Sequence, residues 1–233
     1  MITGGASRGA LPRHTLVWPA AAARERLAAQ LVDDAARAAL GEWFDRAYPL
    51  VVRRVDPGAS TGNRAEIDVG LPLPPDRGKR RLAMTLAHQD VARHSAPPTL
   101  AHIAIGLPET WRLPLAALDR DARSIGVTLR GFGSAAWQAI TGLAYLRDGS
   151  DVDLLFTPQT RSQLDAMLAR FERFERTTQL RVDAEIRFAG DAAVAWREWR
   201  DARDGSRVIA KALHGATLVA RADLFGRLSP GPP

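Results

Sequence analysis

The sequence predicts an α+β protein in two parts, and three observations carry that reading. Helical and strand-like patterns alternate along the 233 residues with no internal repeat. Apolar residues make up 46% of the chain, enough to bury a core. The length exceeds that of one typical domain. The expected division is a smaller α/β N-terminal domain over residues 1–115 and a C-terminal mixed sheet with flanking helices over 116–233.

Within the first part, an alanine-rich stretch from Pro19 to about Arg46 places Leu27, Leu31 and Ala35 four residues apart, which reads as helix. Pro49–Arg54 is a short β-type run, and Ile67, Val69 and Leu71 alternate with polar or small residues as a half-buried strand does. Arg81–Val91 is a further strand candidate. Residues 94–98 read as a loop, and Ala101–Asp121 carries a short helix that leads into the second part.

Gly126–Arg130 reads as a strand punctuated by Gly131 and Gly133, with a helix from Ser134 to about Leu143. Val152–Phe156 is a short apolar strand. Leu164, Met167, Leu168 and Phe171 follow the i, i+3, i+4, i+7 spacing of an amphipathic helix. Leu180, Val182, Ala184 and Ile186 alternate with Arg181, Asp183, Glu185 and Arg187, the most regular strand pattern in the chain. Gly190-Asp191 reads as a turn into Ala192–Trp196, forming a hairpin. Residues 1–12 and 228–233, rich in Gly, Pro and Ser, read as loose ends.

Composition narrows the function classes. The absence of cysteine excludes a disulfide scaffold, a thiolate zinc site and a cysteine nucleophile. No apolar run approaches the roughly 20 residues that span a bilayer, so no membrane association is expected. The first residues lack the apolar stretch of a signal peptide, and the expected setting is cytoplasmic. The net charge is +6, with 30 arginines but only two lysines, Lys79 and Lys211. Split at residue 120, the chain carries 16 basic against 12 acidic residues, then 16 against 14. Neither half is the polycation that nucleic-acid binding calls for, whereas a mild surplus suits an anionic substrate or an acidic protein partner.

One constellation carries chemistry. Phosphoryl and nucleotidyl transfer require a cradle for polyphosphate and anchored metal ions that neutralise developing charge. Gly133-Ser134 at a strand-to-helix junction supplies backbone N–H groups aimed at an anion. Asp151 and Asp153, at positions i and i+2 of a strand, project to one face and can share a Mg²⁺ ion. Asp183 and Glu185 repeat that spacing on a later strand, and either can serve as a third carboxylate. A single Asp-x-Asp is common at surfaces, and a single Gly-Ser is usually only a helix cap. It is their order (strand, Gly-Ser, helix, Asp-x-Asp strand) that points to a nucleotidyltransferase-type site.

The wording of the segment goes further. Gly133-Ser-Ala-Ala-Trp-Gln-Ala-Ile-Thr-Gly-Leu-Ala-Tyr-Leu146, followed by Ser150-Asp-Val-Asp-Leu-Leu155, closely resembles the malonate decarboxylase holo-acyl-carrier-protein synthases, also called phosphoribosyl-dephospho-CoA transferases. Shorter echoes lie in Arg13–Trp18, Pro49–Arg54, Val69–Leu71, Ala193–Glu198 and Val208–Gly215. The resemblance implies a nucleotidyltransferase-like sheet and a defined reaction. A phosphoribosyl-dephospho-CoA group passes from 2'-(5''-triphosphoribosyl)-3'-dephospho-CoA to a serine of the apo acyl-carrier protein of malonate decarboxylase, releasing pyrophosphate. Asp151 and Asp153 match the family's catalytic carboxylates. Val152 stands where leucine is common, Ala144 where proline is frequent, and Arg147-Asp-Gly149 in place of a more usual Thr-Pro-Asp turn.

The expected roles follow. Asp151 and Asp153 hold Mg²⁺, and Asp183 completes the metal site or helps take the serine proton. Gly133 and Ser134 hold phosphates, with Arg130 and Lys211 as further substrate contacts. The N-terminal part would serve the CoA-like substrate or the carrier protein. The five histidines share no metal-ligand spacing and read as structural or solvent-exposed, Trp137 and Tyr145 as packing residues. Two other readings are another Mg²⁺-dependent nucleotidyltransferase, acting on a small molecule or protein, and a non-catalytic carrier-protein binding module.

Overall fold

The computed structural model describes residues 11–54, 66–189 and 192–228. They form an α+β architecture of two units, each with its own sheet. Among the described residues, one unit comprises those up to Leu73 together with Lys79–Ala96; the other comprises Pro74–Gly78 and those from Pro97 onward. The division falls between Ala96 and Pro97, earlier than residue 115. The reason is packing: Leu100, Ile103, Leu115 and Leu118 are buried in the same core as Leu154 and Phe171. The expected ends and the expected Gly190-Asp191 turn lie largely outside the described residues.

The first unit holds an antiparallel sheet of β1 (Leu16–Pro19), β2 (Leu50–Val52), β3 (Glu66–Pro72), β4 (Arg81–Ala87) and β5 (Val91–Ser95), in the order β4-β3-β2-β1-β5. Its helical stretch is divided rather than continuous, into α1 (Arg24–Ala28) and α2 (Asp34–Asp45). The break is a cap. The Asp33 carboxylate accepts from the Ala36 N–H at 2.7 Å and starts a new helix, as a short acid does at an N-cap. Arg80 closes on the same carboxylate at 2.6 Å and holds it below the usual carboxylate range. His94-Ser95 belongs to β5 rather than to a loop, because that segment pairs along β1.

The second unit contains α3 (Leu100–Ile105), α4 (Glu109–Arg123), β6 (Arg130–Gly131), α5 (Gly133–Thr141), β7 (Val152–Phe156), α6 (Arg161–Thr177), β8 (Val182–Arg187), β9 (Ala193–Ala195), α7 (Trp196–Asp201), β10 (Arg207–Ala212), β11 (Gly215–Ala220) and α8 (Arg221–Phe225). The strands lie in the order β11-β10-β9-β8-β7-β6. Every pairing is antiparallel except β7 with β8, which run parallel because α6 carries the chain back between them. The expected strand over 126–130 shrinks to Arg130–Gly131, since Gly126 and Val127 are tied by backbone hydrogen bonds to the end of α4.

The two faces of this sheet differ. Val152, Leu154, Phe156, Val182, Ala184 and Ile186 point one way and are buried with the apolar stripe of α6, Leu164, Met167 and Phe171. Phe171 lies against Phe156 and Trp196 with ring centroids 5.6 and 5.5 Å apart. Asp153, Asp183, Glu185 and Arg187 alternate onto the other face. Burial on one side therefore sets the register: a slip of one residue would turn the acids into the apolar core. Replacing Phe171 with alanine should cost about 3–5 kcal/mol of unfolding free energy in denaturant titrations, as expected for truncating a fully buried ring.

Candidate active site

The site is assembled where β6 ends and α5 begins. β6 pairs with β7 through Gly131 and Leu154, and the Phe132 N–H donates to the Asp153 carbonyl at 3.1 Å. The chain then turns at once into α5 through Gly133, whose φ is +65°. That left-handed conformation favours glycine, and the space requires it as well. A Cβ at residue 133 would overlap Oδ2 of Asp153 and lie 2.5 Å from its Cγ. The Asp153 carboxylate thus sits against the first residue of a nine-residue helix, where the positive end of the helix dipole favours an acid. Phe132, at the cap, makes no side-chain capping bond, and Ser134 is the second residue of the helix.

The parallel pairing of β7 with β8 sets Asp153 directly beside Asp183, and Leu155 beside Glu185. The same register extends one step before both strands, where the Arg181 Nε lies 3.9 Å from an oxygen of Asp151. Asp151 and Asp153 are half-buried, whereas Asp183 is exposed. Glu185 differs from all three: its side chain is only 9% exposed, and an oxygen lies 3.6 Å from Lys211 Nζ on β10. Of the expected substrate contacts, Gly133 lies against the Asp153 carboxylate, and Ser134 follows it in the first turn of α5. Arg130 donates through Nη1 to the Pro97 carbonyl at 2.7 Å. Lys211 lies two strands from β8 along the same face.

The loop that delivers Asp151 is held from within α5. Gln138 Oε1 accepts from the Tyr145 and Leu146 N–H groups at 3.1 and 3.0 Å. Gly142, with φ +71°, ends the helix, and Thr141 Oγ1 accepts from the Leu143 N–H. Ser150 Oγ accepts from the Arg147 N–H at 2.9 Å, which closes the turn immediately before Asp151. Trp137 and Tyr145 pack with ring centroids 6.4 Å apart, as expected of packing residues. Gln138 and Arg181 were not among the expected site residues. The signal for Gln138 was its place inside the resembling motif, and for Arg181 its place on the polar face of the 180–187 alternation.

Mg²⁺ commonly takes one or two carboxylates and completes its shell with water and substrate phosphates. Among the described residues no three acidic, histidine or cysteine side chains gather as one metal-binding group. Carboxylate oxygens from neighbouring strands, beside a helix N-terminus that can face an anion, nevertheless match the donors such an ion prefers. A surface groove of about 340 Å³ lies in the first unit between α1 and α2, but its cations are already paired, Arg24 with Asp45 and Arg37 with Asp34. No helix among the described residues is long and apolar enough to cross a membrane.

The Gly133 constraint can be measured without any assay of activity. Gly133→Ala should destabilise by more than the roughly 1–2 kcal/mol of left-handed strain alone. Adding Asp153→Ala should recover part of the loss in thermal unfolding, because the overlapping carboxylate is gone. Strictly additive losses would contradict the close contact.

Comparison with known proteins converges on one family. Residues 12–97 match the phosphoribosyl-dephospho-CoA transferase MdcG N-terminal domain, and residues 99–222 match the MdcG C-terminal domain of the same transferase. The junction between the two matches coincides with the division between the structural units. A phosphoribosyl-dephospho-CoA transferase of Xanthomonas axonopodis pv. citri is 38% identical over 213 residues, covering 91% of this chain and 96% of its own length. The protein of the same name from Xanthomonas campestris pv. campestris is 37% identical over the same shares, and that from Bradyrhizobium diazoefficiens is 34% identical over 90% of each chain. No solved structure matches. With both halves matched in order and relatives aligned along nearly their full length, this chain belongs to the phosphoribosyl-dephospho-CoA transferase family.

Proposed function

We propose that this transferase moves a phosphoribosyl-dephospho-CoA group from 2'-(5''-triphosphoribosyl)-3'-dephospho-CoA onto a serine of the apo acyl-carrier protein of malonate decarboxylase. The observation that supports it best is the set of acids lying level on β7 and β8 beside the N-terminus of α5. The serine oxygen bonds to the α-phosphorus of the triphosphate, and the bond from that phosphorus to the bridging oxygen breaks, so pyrophosphate leaves. The proton of the serine hydroxyl passes to a carboxylate.

In this reading Asp151 and Asp153 hold Mg²⁺, with Asp183 completing the set or accepting the serine proton. The ion, when bound, would neutralise charge on the phosphate oxygens. Asp183 suits the proton because it is exposed on the strand beside Asp153, where an incoming hydroxyl can reach it. The N–H groups of Gly133 and Ser134 face phosphate oxygens at the helix start. Gln138 and Ser150 keep the preceding loop closed so that Asp151 stays in register with Asp153. Arg130 contributes from the end of β6 and Lys211 from β10.

The test is transfer itself. The protein, Mg²⁺, apo carrier protein and the triphosphoribosyl precursor should give a carrier whose mass has risen by the prosthetic group. Asp151→Asn and Asp153→Asn should each reduce transfer to background while leaving the circular dichroism spectrum unchanged. Labelling from ATP in place of the precursor would instead indicate a general nucleotidyltransferase. Binding of the carrier with no transfer from either donor would indicate a docking module.

A further inference from the structure

Asp183 and Glu185 share a strand face and the same chemistry, yet their surroundings separate them. Asp183 is exposed and level with Asp153; Glu185 is buried, two residues along the strand, and faces Lys211. The two partners are not on neighbouring strands, because β9 lies between them. On β9 the residue opposite Glu185 is Ala195, and the residue opposite both Arg187 and Lys211 is Ala193. Directly paired residues project to the same side of a sheet, so all five side chains share one face. Two strand spacings amount to about 10 Å, which only long side chains leaning toward each other over small residues can bridge. The alanines of β9 provide that clearance.

We propose, on the reading of the site given above, that Glu185 is the positioning partner of Lys211 rather than a metal-holding acid. It holds the ammonium group on the sheet face to contact phosphate oxygens of the anionic substrate. A lysine stem left to itself samples many rotamers, and fixing it lowers the ordering cost when an anion arrives. Burial gives Glu185 that hold, since the pair is shielded on the carboxylate side while the side chain of Lys211 remains 38% exposed toward solvent. The division of labour is then spatial: Asp183 works at the Asp153 end of β8, and Glu185 works through Lys211 at the other.

The probe is inorganic triphosphate, titrated into the full chain by calorimetry in the presence of EDTA, so that neither metal nor turnover contributes. Lys211→Ala should weaken binding about tenfold, the scale of one charged hydrogen bond. K211R should restore part of the loss. E185Q, nearly isosteric, should also weaken binding, and the double variant should bind no more weakly than Lys211→Ala alone. Asp183→Asn should leave metal-free binding at least as strong as in the unaltered protein. E185Q binding as tightly as the unaltered protein, or more tightly, would overturn the proposal, because removal of a merely repelling acid favours an anion. In the transfer assay, E185Q should raise KM for the triphosphate donor with a smaller change in kcat; a collapse of kcat at constant KM would equally overturn it. Triphosphate binding that depends on both residues without transfer from the precursor would remove the proposed function and leave this pair standing.

Discussion

The arrangement of the second unit depends on the absence of a side chain at residue 133. The Asp153 carboxylate occupies the place where a Cβ would stand, at a backbone conformation that L-residues avoid. Because of it, the chain passes from β6 into α5 with a single intervening residue, and the acid meets the helix N-terminus without a spacer. A bulkier residue would push the helix from the strand end and separate the N–H groups from the carboxylates. The glycine thus brings a helix start and a strand acid, each ordinary by itself, into direct contact.

The sheet supplies the second requirement, which is level placement. Antiparallel neighbours can be joined by a tight turn, but β7 and β8 are parallel, and their seventeen-residue crossover helix α6 also covers the apolar face. Burial of that face fixes the strands in register, and the register in turn sets Asp153 beside Asp183 and Leu155 beside Glu185. Trp196 strengthens the same arrangement by donating through Nε1 to the Val182 carbonyl at 2.9 Å, while Glu175 accepts from the Val182 N–H at 2.7 Å. The polar face is positioned by its apolar reverse.

What was legible in the sequence was local. The alternation from Leu180 to Arg187 marked the strand and its two faces, the 164–171 spacing marked α6, and the motif from Gly133 to Leu155 pointed to the candidate site. The division at Asp33 has no short-range signature, because alanine-rich patterns continue across it and only the capping bond to Ala36 marks the new start. The boundary near residue 97 has none either, because α3 and α4 owe their allegiance to distant partners, among them Leu154 and Phe171. Strand order and the parallel pairing are long-range facts with no short-range signature. Neither the Glu185–Lys211 pair nor the contact of Arg130 with Pro97 is visible until the chain has folded.

The identity of the cation at position 211 bears on how the sheet face is used. In a chain with 30 arginines, a lysine there departs from the prevailing basic residue. A guanidinium is a rigid planar fork suited to two parallel hydrogen bonds, whereas an ammonium is a compact charge on a flexible stem. Lys211 Nζ lies 3.6 Å from one oxygen of the buried Glu185 carboxylate, and the lysine side chain remains 38% exposed. The compact charge can touch the carboxylate and still present its remaining donors outward, toward an anion. On these grounds the small residues of β9 and the lysine of β10 form one device: the alanines clear the path, the buried acid fixes one end, and the ammonium keeps a free side for substrate.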